Sequence, residues 1–124
     1  MSVFKKASKF QETVLNAKPP IDPVPALELK WSRRTPAFIE EELGELKDAI
    51  VHQDRGECVD ALIDIIYFAA GALSQLGVDG DKAFDLVHKA NMQKVLGVKP
   101  ERGIDGDAKK PAEWQAPDHS VWFD

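Results

Sequence analysis

The sequence predicts an all-α fold, an antiparallel bundle of four to five helices that forms a single domain over residues 1–124. Apolar residues recur at helical spacing in several separate stretches, whereas the alternation of apolar and polar residues that is typical of strands is not evident. The connections between these stretches are short, so neighbouring helices should run antiparallel. A chain of 124 residues is long enough for one domain with a hydrophobic core.

The N-terminal elements are indicated by apolar periodicity and by prolines. Helical spacing of apolar side chains predicts a first helix over residues 3–17. Four prolines between residues 19 and 25 predict an extended connection. Residues 26–33 fit either a short helix or a turn.

The two central helices are predicted from a capping pattern and from apolar content. Thr35 fits an N-cap and Pro36 the first helical position, so the second helix should begin there and run to about Gln53. Residues 54–56 fit a tight turn. The third helix should cover residues 57–76, and because it is apolar nearly all round, we expect it to be buried.

The C-terminal part contains one further helix and a tail without periodicity. Glycines within residues 77–80 should close the third helix, and an aspartate should cap a fourth helix over residues 81–96. Residues 97–124 are predicted to be an irregular tail, either a loop or a short hairpin around residues 103–106.

Charge and cysteine content exclude several classes of function. The net charge of −5 argues against a nucleic-acid polymer or an anionic membrane as partner, although a nucleotide is compatible because a bound metal reverses the local field. The single cysteine, Cys58, supports neither a disulfide framework nor a zinc cluster. The apolar run 61–76 is too short for a membrane span, and residues 1–9 lack the apolar segment of a signal peptide, so we expect a cytoplasmic location and no membrane partner.

Three carboxylates follow one stripe of the third helix. Glu57, Asp60 and Asp64 are spaced i, i+3 and i+7, which places them on one side of an otherwise apolar segment. Burying unpaired carboxylates side by side is costly, because each loses hydration and they repel one another. A divalent cation removes that cost, and oxygen ligands favour Mg²⁺, with Mn²⁺ as an alternative.

A second acidic group precedes it on the second helix. Glu42 and Glu45 lie at the edge of an apolar stripe, so they can point into the groove between two helices. Glu41 and Asp48 lie further round the helix. We interpret Glu42 and Glu45 as metal ligands, whereas Glu40 and Asp48 fit a solvated acidic face.

The fourth helix adds polar residues to the predicted interior. His88 and Asn91 share a stripe with apolar residues, and we interpret His88 as a core residue that satisfies its hydrogen bonds internally. The Asn91 amide fits a contact to a metal-holding carboxylate or to a phosphate. Lys89 and Lys94 flank it, and each is either a polyphosphate contact or simply solvated.

These motifs resemble the all-α nucleoside triphosphate pyrophosphohydrolases, the MazG-like superfamily, which also contains phosphoribosyl-ATP pyrophosphohydrolase and the dimeric dUTPases. The superfamily pattern E-E-x-x-E followed by E-x-x-D is matched by residues 41–45 and 57–60. The similarity extends from about residue 10 through most of the chain. It implies a MazG-like, oligomeric helical bundle, a homodimer or homotetramer, that hydrolyses a nucleoside triphosphate to a monophosphate and pyrophosphate with Mg²⁺.

The resemblance also implies roles for individual residues. Glu41 would be the catalytic base that deprotonates the attacking water. The predicted metal ligands are Glu42, Glu45, Glu57 and Asp60, with Asp64, one turn beyond Asp60, as an additional ligand or a residue behind the ligands. The predicted substrate contacts are Asn91, Lys94 and Lys89 for the triphosphate, and Gln11 and Arg34 from segments that could close over the base.

Other functions remain open at this point. Phosphoribosyl-ATP cleavage and the removal of damaged nucleotides both fit the acidic motif. A carboxylate-bridged di-iron bundle requires Glu-x-x-His on two helices, and the chain offers only Asp85-x-x-His88. A non-catalytic helical interaction module is the alternative of another class, and complete acidic motifs argue against it.

Overall fold

Helices account for most of the described chain, which in this computed structural model comprises residues 1–18, 31–99 and 104–123. The elements are α1 (Val3–Thr13), α2 (Trp31–Val51), α3 (Arg55–Gln75), α4 (Gly80–Asn91), β1 (Val95–Lys99), β2 (Ile104–Lys109) and a 3₁₀ helix (His119–Trp122). The predicted all-α class is therefore confirmed, with the addition of one small strand pair. The proline-rich connection and most of the element predicted at 26–33 lie outside the described residues.

Helix α1 begins at a serine cap and packs closely against α3. Ser2 Oγ accepts a hydrogen bond from the Lys5 amide at 3.1 Å, which satisfies one of the unpaired donors of the first turn. Ala7 is 1% exposed, and Ser74 of α3 donates from Oγ to Ser8 Oγ at 3.1 Å. Small side chains thus allow the two helices to approach, and α1 ends at Thr13 rather than at the predicted residue 17.

Helix α2 begins four residues before the predicted N-cap. It starts at Trp31, so the prediction of Thr35 as N-cap is wrong and Pro36 lies inside the helix. Proline at the first position would cost no hydrogen bond, whereas in the second turn its missing N–H leaves one carbonyl of the first turn without its helical partner. The helix continues because the φ angle that the proline ring imposes is itself helical.

Helices α2 and α3 are antiparallel, as predicted. A three-residue connection at 52–54 joins them. The ring centres of Phe38 and Phe68 lie 5.2 Å apart. One turn further along α2, the negative charge of Asp64 raises the pKa of Glu42, so these two carboxyls are also neighbours. A step of four residues forward on α2 therefore corresponds to a step of four residues backward on α3.

The residues between these two helices form caps on both sides. The Asp54 amide donates to Ala49 O at 2.9 Å and the Gln53 amide to Ile50 O at 3.1 Å, which closes α2. Asp54 also caps α3, because its Oδ1 accepts from the Glu57 amide at 3.1 Å. The predicted turn at 54–56 is thus a helix N-terminus. Gln53 itself has φ of 56°, in the left-handed region where a side chain is unfavourable.

Replacing Gln53 by glycine is expected to stabilise the protein by about 0.5–1 kcal/mol, because glycine adopts the left-handed conformation without a Cβ penalty. Urea unfolding of wild type and variant measures the difference. Gln53→Ala is the matched control and should leave the stability nearly unchanged, since alanine retains the Cβ. Equal stabilisation by both substitutions would contradict this explanation.

Helix α3 is less buried than its composition predicts. Ala61, Ala70, Gly71 and Ser74 are buried, but five of its larger apolar side chains are 39–60% exposed, namely Val59, Leu62, Ile63, Ile66 and Tyr67. The prediction of a buried helix is therefore wrong for the single chain. Helices α1 and α2 cover only part of a surface that is apolar nearly all round.

The chain divides into two compact units, Met1–Gly80 and Asp81–Asp124. The second unit contains most of α4 and an antiparallel hairpin in which Val95 pairs with Lys109 and Gly97 with Asp107. The hairpin alternative for the tail is thus confirmed. Its first strand already begins at Val95, and α4 ends at Asn91 rather than at the predicted residue 96. That both units belong to one domain remains a prediction.

The packed face of α4 differs from the predicted stripe. Ala83 and Ala90 are buried, whereas His88 is exposed and Phe84 is 62% exposed. The interpretation of His88 as a core residue is therefore wrong. The small alanines, rather than the large residues beside them, are thus the buried positions of α4.

Within the described ranges no single helix is long and apolar enough to cross a membrane; α3 and α4 taken together, as a bent pair, meet that test by length and composition alone.

Candidate active site

Four carboxylates form an acidic cluster on α2 and α3, defined here as Glu41, Glu42, Glu45 and Asp64. Glu42 is at its centre. The pKa of Glu42 is raised from 4.5 to about 7 by its burial first, and then by Glu45, Asp64 and Glu41. Its Oε2 atom is fully buried and has no hydrogen-bond partner in the part of the chain that the structure describes. The cluster therefore holds a carboxyl group whose buried oxygen, when ionised, receives no hydrogen bond from the described residues.

A hard cation fits this cluster by charge and by donor atoms. An unpartnered, buried carboxylate oxygen among other carboxylates is the environment that a divalent ion with oxygen ligands stabilises. Over residues 1–18, 31–99 and 104–123, however, no group of three or more acidic, histidine or cysteine side chains stands close enough together to hold a metal as placed. The side chains of the cluster would have to converge on an ion.

Two predicted ligands lie nearer the N-terminus of α3 than Asp64 does. Glu57 and Asp60 are both exposed, whereas Asp64 is half-buried. Glu57 precedes Asp64 by seven residues, which is roughly 10 Å along a helix. The antiparallel register brings Asp64, not Glu57, to Glu42. The spacing of the motif alone places Asp60 ahead of Asp64 as a ligand. Spacing along one helix, however, carries no information about which residues face each other across two helices.

A pocket of about 400 Å³ lies beside the acidic cluster, within the first unit. Its walls are mainly aromatic and amide side chains from α1, α2 and α3 and from the residues that follow α1. The lining residues are Phe10, Gln11, Leu15, Asn16, Ala17, Arg34, Thr35, Phe38, Tyr67, Phe68, Gly71, Ala72 and Gln75. We call it the aromatic pocket.

Ring contacts fix two walls of the aromatic pocket. Phe10 meets Tyr67 edge to face at 5.4 Å and 87°, and Phe38 meets Phe68 at 5.2 Å. The guanidinium of Arg34 lies 5.4 Å from the centre of the Phe38 ring. Such surfaces accept a flat apolar ring, and an adjacent arginine can meet negative charge.

The structure brings together Gln11 and Arg34, which were predicted as base contacts, since both line the aromatic pocket. Sequence reasoning did not single out Phe38 or Phe68. A usable signal exists: Phe38 precedes Glu42 by four residues and Phe68 follows Asp64 by four, so each aromatic ring shares a helix face with a carboxylate. The pocket and the acidic cluster are thus separated by one helical turn.

The predicted triphosphate contacts lie in the second unit. Lys89 forms an exposed ion pair with Asp85 at 3.2 Å. The Lys94 ammonium lies 5.1 Å from the centre of the Trp114 ring, and Asn91 is exposed at the end of α4. Their contact with a triphosphate stays a prediction.

A helical domain that carries an acidic cluster on its two central helices has the features expected of the all-α nucleotide pyrophosphohydrolases. A family model for phosphoribosyl-ATP pyrophosphohydrolase matches residues 7–91, more than half of the chain. The protein belongs to this family, within the MazG-like superfamily. It is accordingly a hydrolase that acts on phosphoanhydride bonds. A search of curated proteins gave no match.

Proposed function

We propose that the protein hydrolyses a nucleoside or deoxynucleoside triphosphate to the monophosphate and pyrophosphate, in a reaction that depends on Mg²⁺. The observation that carries this proposal is the position of the acidic cluster one helical turn from the aromatic pocket. A base held between aromatic rings would place the phosphates near the carboxylates. Membership of the pyrophosphohydrolase family supports cleavage of a phosphoanhydride bond.

The acidic cluster would hold the metal. Glu42, Glu45 and Asp64 are the proposed ligands, because the carboxyls of Glu45 and Asp64 lie close enough to Glu42 to raise its pKa, with Glu57 and Asp60 as the further ligands that the motif predicts. When bound, Mg²⁺ would neutralise charge on the phosphate oxygens. Mn²⁺ offers similar chemistry with the same oxygen ligands.

Glu41 would act on the attacking water. It is exposed, and it is close enough to Glu42 to raise that group's pKa. Its carboxylate would accept a proton as the water oxygen bonds to the α-phosphorus. The bond from that phosphorus to the α–β bridging oxygen breaks, and this oxygen leaves with pyrophosphate.

Phosphoribosyl-ATP is the second candidate substrate, favoured by the family match. Its base carries an additional phosphorylated ribose, which requires cations at the far side of a base pocket. Of the described lining residues only Arg34 is cationic. This composition fits an unsubstituted base better, and the role would then be the removal of unwanted nucleotides.

We also propose that the protein works as a homodimer or homotetramer in the cytoplasm. The exposed apolar side chains of α3, including Leu62, Ile63 and Ile66, support association. A second copy would cover them, because burial of such residues stabilises an assembly.

Incubation with a panel of nucleoside triphosphates and Mg²⁺ is expected to release pyrophosphate and a monophosphate. Separate detection of pyrophosphate and orthophosphate measures the products, and a parallel reaction with phosphoribosyl-ATP decides between the two substrates. A reaction with chelator in place of Mg²⁺ is the control. Release of orthophosphate and a diphosphate would contradict the proposal, and no turnover of any nucleotide would favour a non-catalytic module.

A further inference from the structure

A chain of hydrogen bonds runs through the wall of the aromatic pocket. Gln75 Nε2 donates to Gln11 Oε1 at 3.3 Å and to the backbone carbonyl of Ala17 at 3.4 Å. All three residues line the pocket. These hydrogen bonds therefore link the last residue of α3 to α1 and to the segment that follows α1.

The direction of this chain is set by the backbone. A carbonyl oxygen only accepts hydrogen bonds, so the Gln75 side chain must turn its NH₂ group toward Ala17. The same NH₂ group then faces Gln11, which must present its oxygen in return. Ala17 thus determines the orientation of both amides.

The opposite end of the Gln11 amide is consequently a donor. Its Nε2 lies against Gly71, where an added Cβ would stand 2.5 Å from the nitrogen. Glycine at this position makes room for the amide. The hydrogen bond from Gln75 and the contact with Gly71 thus fix the plane of the Gln11 amide and the position of its NH₂ group in the pocket wall.

We propose that Gln75 is a positioning residue that holds Gln11 as a hydrogen-bond donor toward the base. The pocket would then favour bases with an exocyclic oxygen, the 6-oxopurines and 4-oxopyrimidines, over bases with an amino group at the same place. An amino group opposite the Gln11 NH₂ sets donor against donor and leaves both unpaired. This inference rests on the proposed function, because it assigns the pocket to the base of the nucleotide.

Binding of matched nucleotides tests the inference directly. Inosine and adenosine monophosphates differ at the 6-position, and calorimetry measures their Kd values for wild type and variants. Wild type is expected to bind inosine monophosphate about tenfold more tightly than adenosine monophosphate. Uridine and cytidine monophosphates form a second matched pair.

Three variants separate positioning from mere structure. Gln11→Glu keeps the bond from Gln75 but presents an acceptor to the base, so the preference should reverse. Gln75→Glu should reverse it as well, because a carboxylate makes Gln11 turn its NH₂ group away from the pocket. Gln75→Met keeps the side-chain volume without the hydrogen bond, so the ratio of the two Kd values should approach one. A purely structural Gln75 would weaken both nucleotides equally.

Pyrophosphate release from inosine and adenosine triphosphates is measured in parallel. Preferential binding of inosine monophosphate without any pyrophosphate release would leave this inference standing and refute the proposed reaction. A wild-type preference that is unchanged in Gln11→Glu and Gln75→Met would overturn the inference, as would the failure of wild type to bind any of the four monophosphates. Circular dichroism confirms that each variant is folded.

Discussion

Substitution of Glu41 by glutamine is expected to lower the turnover of pyrophosphate release by roughly 10²–10⁴-fold, the usual contribution of a positioned acid or base. The amide has nearly the same shape but cannot accept the proton of the attacking water. Because Glu41 is exposed and stands at the edge of the acidic cluster, the variant should still bind Mg²⁺ and nucleotide. Steady-state kinetics with a pyrophosphate assay measures the loss.

Glu40→Gln is the matched control for this experiment. Glu40 is the neighbouring residue on α2 and is exposed, and it lies outside the acidic cluster. Its variant should retain nearly full turnover. Full activity of Glu41→Gln would remove only the assignment of the base, and another carboxylate of the cluster would then take that role.

Substitution of Glu42 by glutamine is expected to abolish most of the stabilisation by Mg²⁺. An ion at one hundred times its Kd stabilises a folded protein by about 2.7 kcal/mol, and Glu42 is the central carboxylate of the cluster. The ion requires the deprotonated group, so stabilisation of wild type should be weaker at pH 6 than at pH 8. Thermal unfolding with and without Mg²⁺ measures both effects.

The same variant changes the pH dependence of the metal-free protein. The pKa of Glu42 is raised from 4.5 to about 7, so the folded chain binds this proton more tightly than the unfolded chain. That contribution to stability is fully present below pH 4.5 and is lost as the pH rises through about 7. Glutamine cannot lose a proton, so the free energy of unfolding of Glu42→Gln should increase relative to wild type over this range.

Asp48→Asn serves as the control for both measurements, since Asp48 is exposed on α2 and outside the acidic cluster. It should retain the Mg²⁺ effect and the pH profile of wild type. Comparison of Asp64→Asn with Asp60→Asn then ranks the two aspartates as ligands. Equal Mg²⁺ stabilisation of wild type and Glu42→Gln would contradict the assignment of the metal site.

Apolar periodicity predicted the helices well because it reflects local geometry. It identified the all-α class and the antiparallel order of α2 and α3. Helix ends were harder to place: Pro36 lies inside α2, because the φ angle of a proline is compatible with a helix even where its missing N–H costs one hydrogen bond. The sequence alone predicts a turn at Asp54, because its role as the N-cap of α3 depends on a hydrogen bond from the Glu57 amide that only the backbone geometry reveals.

The candidate site was predicted in its chemistry but not in its arrangement. The residue types of the acidic cluster are evident from the motif, whereas the approach of Asp64 to Glu42 depends on how two helices align. Likewise, the pairing of Phe38 with Phe68 follows from that alignment. The burial of α3 was overestimated because composition does not tell how many partners a helix has within one chain.

The four-residue intervals on α2 and α3 have an evolutionary consequence. The aromatic pair, Phe38 and Phe68, and the acidic pair, Glu42 and Asp64, lie on the same two helices. A shift of one helix along the other would therefore misalign both pairs by the same distance. Helix α1 supplies Phe10 and Gln11 to the aromatic pocket and no member of the acidic cluster. Under the proposed function, a new base preference is therefore most readily acquired by substitutions on α1, which leave the acidic cluster unchanged.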